Sequence, residues 1–192
     1  MTYGSPLTVV AAVTALVGAT TASISNPEKP PPGHTGGFGE SSCISCHLGN
    51  DVNAFGGSVT IEGLPDRFVR GKHYPITVEL KAEETEVAGF QITARFNAPN
   101  DQRFGESAGE IHPINSRVTN TIGDNGVSYA HHTPQGLINS SRDSISWSME
   151  WIAPSKGSSV VFHVAANSGN GDNSPLSDLV YTSNEVTHSS PR

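Results

Sequence analysis

Asp143-Ser144-Ile145-Ser146-Trp147-Ser148-Met149-Glu150-Trp151-Ile152-Ala153 is the stretch that decides the fold. Ile145, Trp147, Met149 and Trp151 alternate with Ser144, Ser146, Ser148 and Glu150. A period of two sends successive side chains to opposite faces of a strand, so this segment has one apolar face and one polar face. The same pattern recurs on either side. Ser58-Val59-Thr60-Ile61 alternates and breaks at Gly63-Leu64-Pro65, and Tyr74 to Leu80 places Ile76, Val78 and Leu80 together. Gly89 to Phe96 turns Phe90, Ile92, Ala94 and Phe96 inward. Gly126 to Thr133 is a further strand, Ser159 to Ala166 is apolar enough for a central one, and Leu179 to Val186 closes the series. Residues 97–123 read as loop with a short strand near Val118, and 167–178 as an Asn/Gly/Asp-rich loop. Seven or so short strands and no helical period predict an all-β chain, an antiparallel β-sandwich of immunoglobulin-like type.

Composition agrees. Hydrophobic residues make up 35% and charged ones 15% of 192 residues, and 20 Gly and 13 Pro suit a turn-rich β protein better than a helical one. The net charge is −7 and no basic cluster interrupts it, so no nucleic-acid partner is expected. An acidic surface instead suits encounters with a positively charged protein.

The only two cysteines stand in Cys43-Ile44-Ser45-Cys46-His47. C-x-x-C-H is the attachment spacing of a c-type haem. Two thiols three positions apart match the two vinyl groups they would join as thioethers, and the following histidine lies where it can give the iron its proximal nitrogen. Cys43, Cys46 and His47 are therefore expected to hold one covalent haem c, with His47 on the iron. Two other readings use the same residues: half of a zinc site, completed by downstream histidines, or a redox disulfide.

The flanks divide the chain. Residues 1–22 read as a signal peptide, with an apolar run from Leu7 to Ala19 and small residues at Thr20-Thr21-Ala22, although no Lys or Arg precedes the run. A retained N-terminal anchor is the competing expectation. Residues 23–40, with Pro27, Pro30, Pro31, Pro32 and four glycines, read as a Pro/Gly-rich linker with a solvated His34. Residues 41–57 form the attachment segment, where Ser41 and Ser42 can cap a short turn ended by Gly49. The sandwich is expected over 58–187 and a disordered polar tail over 188–192. Export agrees with covalent haem, which places the chain in the periplasm, secreted or on the cell surface.

A low-spin iron needs a second axial ligand. In the strand through 126–133, Val127, Tyr129 and His131 share what reads as the core face, and Ser128, Ala130 and His132 share the other, with room for a flat ring. His132 is the first choice. Met149 reads as core, His163 as a hydrogen-bonded strand histidine, His73 and His112 as turn and loop residues, and His188 as tail. Asp172 and Asp178 could offer oxygens to calcium, but without regular carboxylate spacing they read as turn residues. No nucleophile elbow, phosphate loop or paired-carboxylate signature appears, so no enzyme is expected.

Thr35-Gly36-Gly37-Phe38-Gly39-Glu40, Gly89 to Ala94, Tyr129-Ala130-His131-His132-Thr133, Trp147 to Pro154, Ala165-Ala166-Asn167 and Asn170-Gly171-Asp172 together resemble the bacterial choice-of-anchor V domain proteins. The likeness spans roughly residues 35–183. It implies a reeler-like sandwich preceded by a haem-binding CxxCH, and its usual His-Thr ending at 132–133 supports His132. The chain departs from the pattern at His163, where Tyr is more usual. The resulting expectation is an exported monohaem c-type cytochrome with His47 and His132 on the iron. It would carry single electrons to or from redox partner proteins, as in a membrane-associated electron-transfer complex. Two histidines imply a lower potential than a His/Met pair. Two alternatives stand beside it: a surface adhesion or interaction module with a structural haem, and a five-coordinate haem that senses a gas or reduces peroxide.

Overall fold

The computed structural model describes residue 1, residues 29–138 and residues 143–191. The leader expected over 1–22 lies, Met1 apart, outside the described residues, as do residues 23–28 of the expected linker.

The alternating stretch forms β8 (Ser144–Ile152), and Ile145, Trp147, Met149 and Trp151 are all buried. It pairs antiparallel with β3 (His73–Ala82), which sets Trp147 opposite Val78 and Met149 opposite Ile76. With β1 (Gly57–Glu62) and β5 (Glu110–Pro113) they make a four-stranded sheet in the order β1-β3-β8-β5. The second sheet has six strands: β2 (Arg67–Phe68), β4 (Val87–Phe96), β6 (Val118–Ile122), β7 (Ser128–His132), β9 (Ser159–Gly169) and β10 (Leu179–Ser189). Their order is β2-β10-β9-β4-β7-β6.

The core lies between the sheets. Trp147 stacks on Phe90 with ring centroids 4.5 Å apart, and Trp151 meets Phe162 edge-on at 5.0 Å. Each indole N–H finds a main-chain carbonyl, Trp147 donating to Gly136 O at 2.8 Å and Trp151 to Ala108 O at 3.0 Å. Large apolar rings with satisfied polar ends close a core without leaving a buried donor unpaired. Truncating either ring to Ala costs about 3–5 kcal/mol in such a setting.

Four expectations need correction. The region 97–123 holds β5 as well as the strand at Val118; β5 is four residues long and shows only Ile111 to the core, too little for a period to register. The named strands pair antiparallel as expected, except that β10 runs parallel to the two-residue β2 through His188–Arg67 and Ser189–Phe68. That pairing also orders the start of the presumed tail, since β10 runs on through Ser189. In β7 the faces are the reverse of those expected. Ala130 belongs to the core between the sheets, while Tyr129 and His131 lie on the outer face, where they are equally buried.

Their cover is the fourth correction. Residues 29–40 are not a solvated linker but a strap across the outer face of the six-stranded sheet. Glu40 Oε1 accepts from Arg95 Nη1 at 2.5 Å and from Tyr129 OH at 2.6 Å, while Glu40 Oε2 accepts from Thr35 Oγ1 at 2.7 Å. The fully buried Gln91 clamps the strap from both ends of its amide, accepting from His34 N at 2.7 Å and donating to Pro31 O at 2.9 Å. Gly37 is required where the strap crosses His163, since a Cβ there would lie 2.3 Å from the imidazole. The Arg95 guanidinium sits 4.2 Å from the Phe38 ring centroid. Gly37 thus serves a close approach of backbone to sheet.

Candidate cofactor site

The segment after the strap makes a single 3-10 turn at Cys43–Ser45. Ser42 stands at its start without a capping side-chain bond, and Ser41 Oγ instead meets Ser45 Oγ. His47 N donates to Cys43 O at 3.0 Å, which continues the coil just far enough to bring Cys43, Cys46 and His47 to one wall. Gly49, with φ of +117°, was expected to end it but lies beyond it: the turn's last residue is Ser45, and Leu48 is already bridged to Leu176. The segment is fastened to the loop between β9 and β10. Leu48 N donates to Pro175 O and Ser177 N to Leu48 O, both at 2.8 Å. Asn50 Nδ2 reaches Ser177 O at 3.0 Å and Asp178 O at 3.2 Å.

Cys43, Cys46, His47 and His132 all line one cavity of about 360 Å³. That volume lies within the usual range for small-molecule and cofactor sites. The thiols are not bridged to each other. Loss of water pushes the Cys43 thiol up to about 12, so it is no thiolate in this state.

The two imidazoles are held in the same way, by Nδ1. His47 Nδ1–H donates to Asp178 Oδ2 at 2.5 Å, and the Asp178 side chain is only 6% exposed. Asn167 Nδ2 stands 3.5 Å from the same ring nitrogen. His132 closes β7. The register of β4 on β7 runs through Gln91–His131 and stops, and the His132 ring takes up the main chain of Phe90 in place of a further residue. Its Nδ1 lies 3.0 Å from Phe90 N and 3.2 Å from Phe90 O. In the tautomer that donates to Phe90 O, Nε2 carries a lone pair; in the one that accepts from Phe90 N–H, it does not. Neither Nε2 has a hydrogen-bond partner among the described residues.

Burial lowers the His132 pKa to about 4, the Phe90 carbonyl pulls it back, and the charges of His131 and His47 push it the same way as burial. The imidazole is therefore neutral at physiological pH, the form that binds metal. Gly89 makes room beside it: a Cβ there would lie 2.6 Å from His132 Cε1 and 3.0 Å from Asn167 Oδ1.

The remaining candidates lie elsewhere. Met149 is wholly inside the core. His73 pairs with Glu150 at 2.8 Å and His112 with Glu110 at 2.9 Å, both exposed. His163 lies under Phe38 on the outer sheet face, and its buried Nδ1 has no hydrogen-bond partner among the described residues, contrary to the hydrogen-bonded role expected of it. His188 is exposed on β10. His34, expected in solvent, instead lines the cavity. In the β9–β10 loop, Asp172 accepts from Ser174 N at 2.7 Å as a turn residue, while Asp178 faces His47. For zinc, Cys43 and Cys46 would need two more ligands. Among the described residues no group of three or more His, Cys, Asp or Glu is arranged to hold a metal ion.

Asp178, Asn167 and Gly89 are the parts of the site that local sequence reasoning missed. Asp178 lies 131 residues from its partner, and no spacing rule reaches that far.

No family model matches the chain, and no curated protein does. Solved structures do. The human F-spondin reeler domain is 17% identical, covers 77% of this chain and 98% of its own, and superposes with a TM-score of 0.48. A second structure, the Reelin-N domain of F-spondin, is 18% identical over 78% of this chain and 96% of its own, also at 0.48. The major pilin SpaD from Corynebacterium diphtheriae is 14% identical over 69% of this chain and 35% of its own, at 0.43.

Proposed function

We propose that the chain holds one covalent haem through Cys43 and Cys46, with His47 and His132 on the iron, and that it carries single electrons outside the cytoplasmic membrane. The observation that carries this reading is convergence. A thiol pair and two histidines from separate parts of the chain meet at one cavity, each imidazole anchored at Nδ1, and in the His132 tautomer that donates to Phe90 O both Nε2 atoms have a free lone pair. Metal-bound histidines characteristically hold their second nitrogen on a carboxylate or carbonyl in this way. The cavity shape supports the same group, since Gly89 keeps side-chain atoms away from the His132 ring.

When bound, a haem supplies a one-electron couple. The chain's own residues do the rest. The 3-10 turn presents both thiols on one side, Asp178 and the Phe90 carbonyl orient the two rings, and apolar Phe90, Leu137 and Pro134 limit water. Held by both His47 and His132, such a group would offer no open position to a substrate. Electron transfer would follow contact with a redox partner, and the net charge of −7 favours a basic one. The leader read from the sequence supports a periplasmic, secreted or surface location. No helix among the described residues is long and apolar enough to cross a membrane.

A second reading, an interaction module with a structural haem, draws on a different observation. Phe55 of the attachment segment is fully exposed, and Leu48 and Leu176, which bridge that segment to the β9–β10 loop, are exposed too. Exposed apolar side chains of this size suit a protein contact.

The test is the absorption spectrum of the exported protein, oxidised and reduced, with and without carbon monoxide, for wild type and His132→Ala. A low-spin c-type spectrum that turns high-spin and carbon-monoxide-reactive in the variant supports the proposal. A low-spin spectrum unmoved by the variant moves the ligand to His34, the remaining histidine on the cavity wall. Wild type that binds carbon monoxide readily favours the sensor reading, and wild type without haem ends the proposal. A haem with no reversible potential favours the interaction module.

A further inference from the structure

The two axial histidines of the proposed haem are fixed by unequal partners. His132 has at most a neutral carbonyl, Phe90 O at 3.2 Å. His47 has a carboxylate at 2.5 Å. The carboxylate is also built in from several directions. Asp178 lies directly before β10 and its own carbonyl accepts from Asn50 of the attachment segment at 3.2 Å. Ser177 before it takes a left-handed φ of +70°, a cost that an ordinary turn would avoid with glycine. Gly169 leaves the space the carboxylate occupies, since a Cβ there would lie 3.1 Å from Asp178 Oδ1.

We propose that Asp178 is a positioning residue that strengthens His47 as an electron donor to the iron and so holds the reduction potential low. This rests on the haem reading above. A carboxylate accepting the Nδ1–H draws the proton toward itself and leaves Nε2 more basic, as partners beyond the metal's direct ligands do in other metal sites. A more basic ligand favours ferric over ferrous iron. A charge-assisted hydrogen bond is roughly twice as strong as a neutral one, so an amide in place of the carboxylate keeps the geometry and removes about half of the bond's strength.

The experiment is potentiometric titration of the exported, haem-loaded protein as wild type, Asp178→Asn and Asp178→Glu. Asp178→Asn should keep a low-spin c-type spectrum while its ferrous-to-ferric ratio at the wild-type midpoint rises roughly tenfold, which for one electron is about 59 mV. Asp178→Glu should stay near wild type. A loaded Asp178→Asn at the wild-type potential overturns the proposal, and so does an equal shift in both variants. If Asp178→Asn does not accumulate loaded, the ferrous wild type decides. The His47 Nδ1–H should resonate well downfield of the His132 Nδ1–H, and coincident resonances overturn the proposal. A wild type without haem would overturn the haem reading as well, whereas an unmoved potential overturns this inference alone.

Discussion

Replacing Glu40 by alanine should loosen the strap and destabilise the whole sandwich by about 3 kcal/mol. Glu40 gathers three donors: Arg95 Nη1, Tyr129 OH and Thr35 Oγ1, at 2.5, 2.6 and 2.7 Å. The Arg95 and Glu40 side chains are only 10% and 11% exposed, so truncation strands a guanidinium under the strap with Gly105 O and the Phe38 ring as its remaining partners. Breaking a buried pair costs about 3–5 kcal/mol, and partial exposure puts this one at the low end. With a urea slope of about 2 kcal/mol/M the midpoint falls by about 1.5 M. Equilibrium urea unfolding at constant pH reads that shift. Limited proteolysis should show new cleavage within residues 30–36, because the strap loses its anchor before the sheets lose theirs. Glu40→Ala combined with Arg95→Leu should recover part of the loss, since removing both charges leaves none stranded. A Glu40→Ala loss below about 1 kcal/mol, or a double variant worse than the sum of its parts, would refute the reasoning.

Two further outcomes follow from single contacts. Gly89→Ala puts a methyl group 2.6 Å from His132 Cε1, so the ring must shift; loaded protein should become partly high-spin and bind carbon monoxide, and an unchanged low-spin spectrum would refute the close fit. His163 is held below the usual histidine range by burial first and by the Arg95 charge second, with Glu40 opposing. The unfolded chain therefore takes up the proton first as pH falls, and the stability due to the neutral form, complete above about pH 6.5, is lost below it. His163→Phe also removes the unpartnered Nδ1, so it should gain about 1 kcal/mol at pH 7 and flatten the acid side of a stability–pH curve, measured by urea unfolding at several pH values.

The strands were legible because alternation needs only neighbours. Trp147 and Trp151 announce a buried face whatever they pack against, and the structure buries both. β7 shows where that logic ends. Both of its faces are covered, one by the opposite sheet and one by the strap, so neither polarity nor ring size marks the core side, and Tyr129 and His131 were assigned to the wrong face. The strap was missed for a related reason. Its composition reads as loop, and only Gln91, Arg95 and Tyr129 on the far side of the fold explain why Thr35 and Glu40 are there. At the site, Cys43, Cys46 and His47 stand out as a local spacing, whereas His132 was read on a roomy outer face that is in fact the core side, and it reaches the cavity because it ends β7. Asp178 was visible only as an acidic loop residue, because its meaning depends on where the last strand begins.

That dependence has a temporal side. Asp178 follows His47 by 131 residues, and synthesis proceeds at about 5–20 residues per second, so the attachment motif exists for roughly 7–26 seconds before its carboxylate partner has been made. During that interval the motif has no cavity, because Gly89, His132 and Asn167 are still being added one after another. If the proposed haem were taken up before that interval closes, the chain would fold around it and the last strand would fasten His47 at the end. In the folded chain the two thiols are instead half-buried in the cavity wall, beside the latch of Leu48 on Pro175 and Ser177.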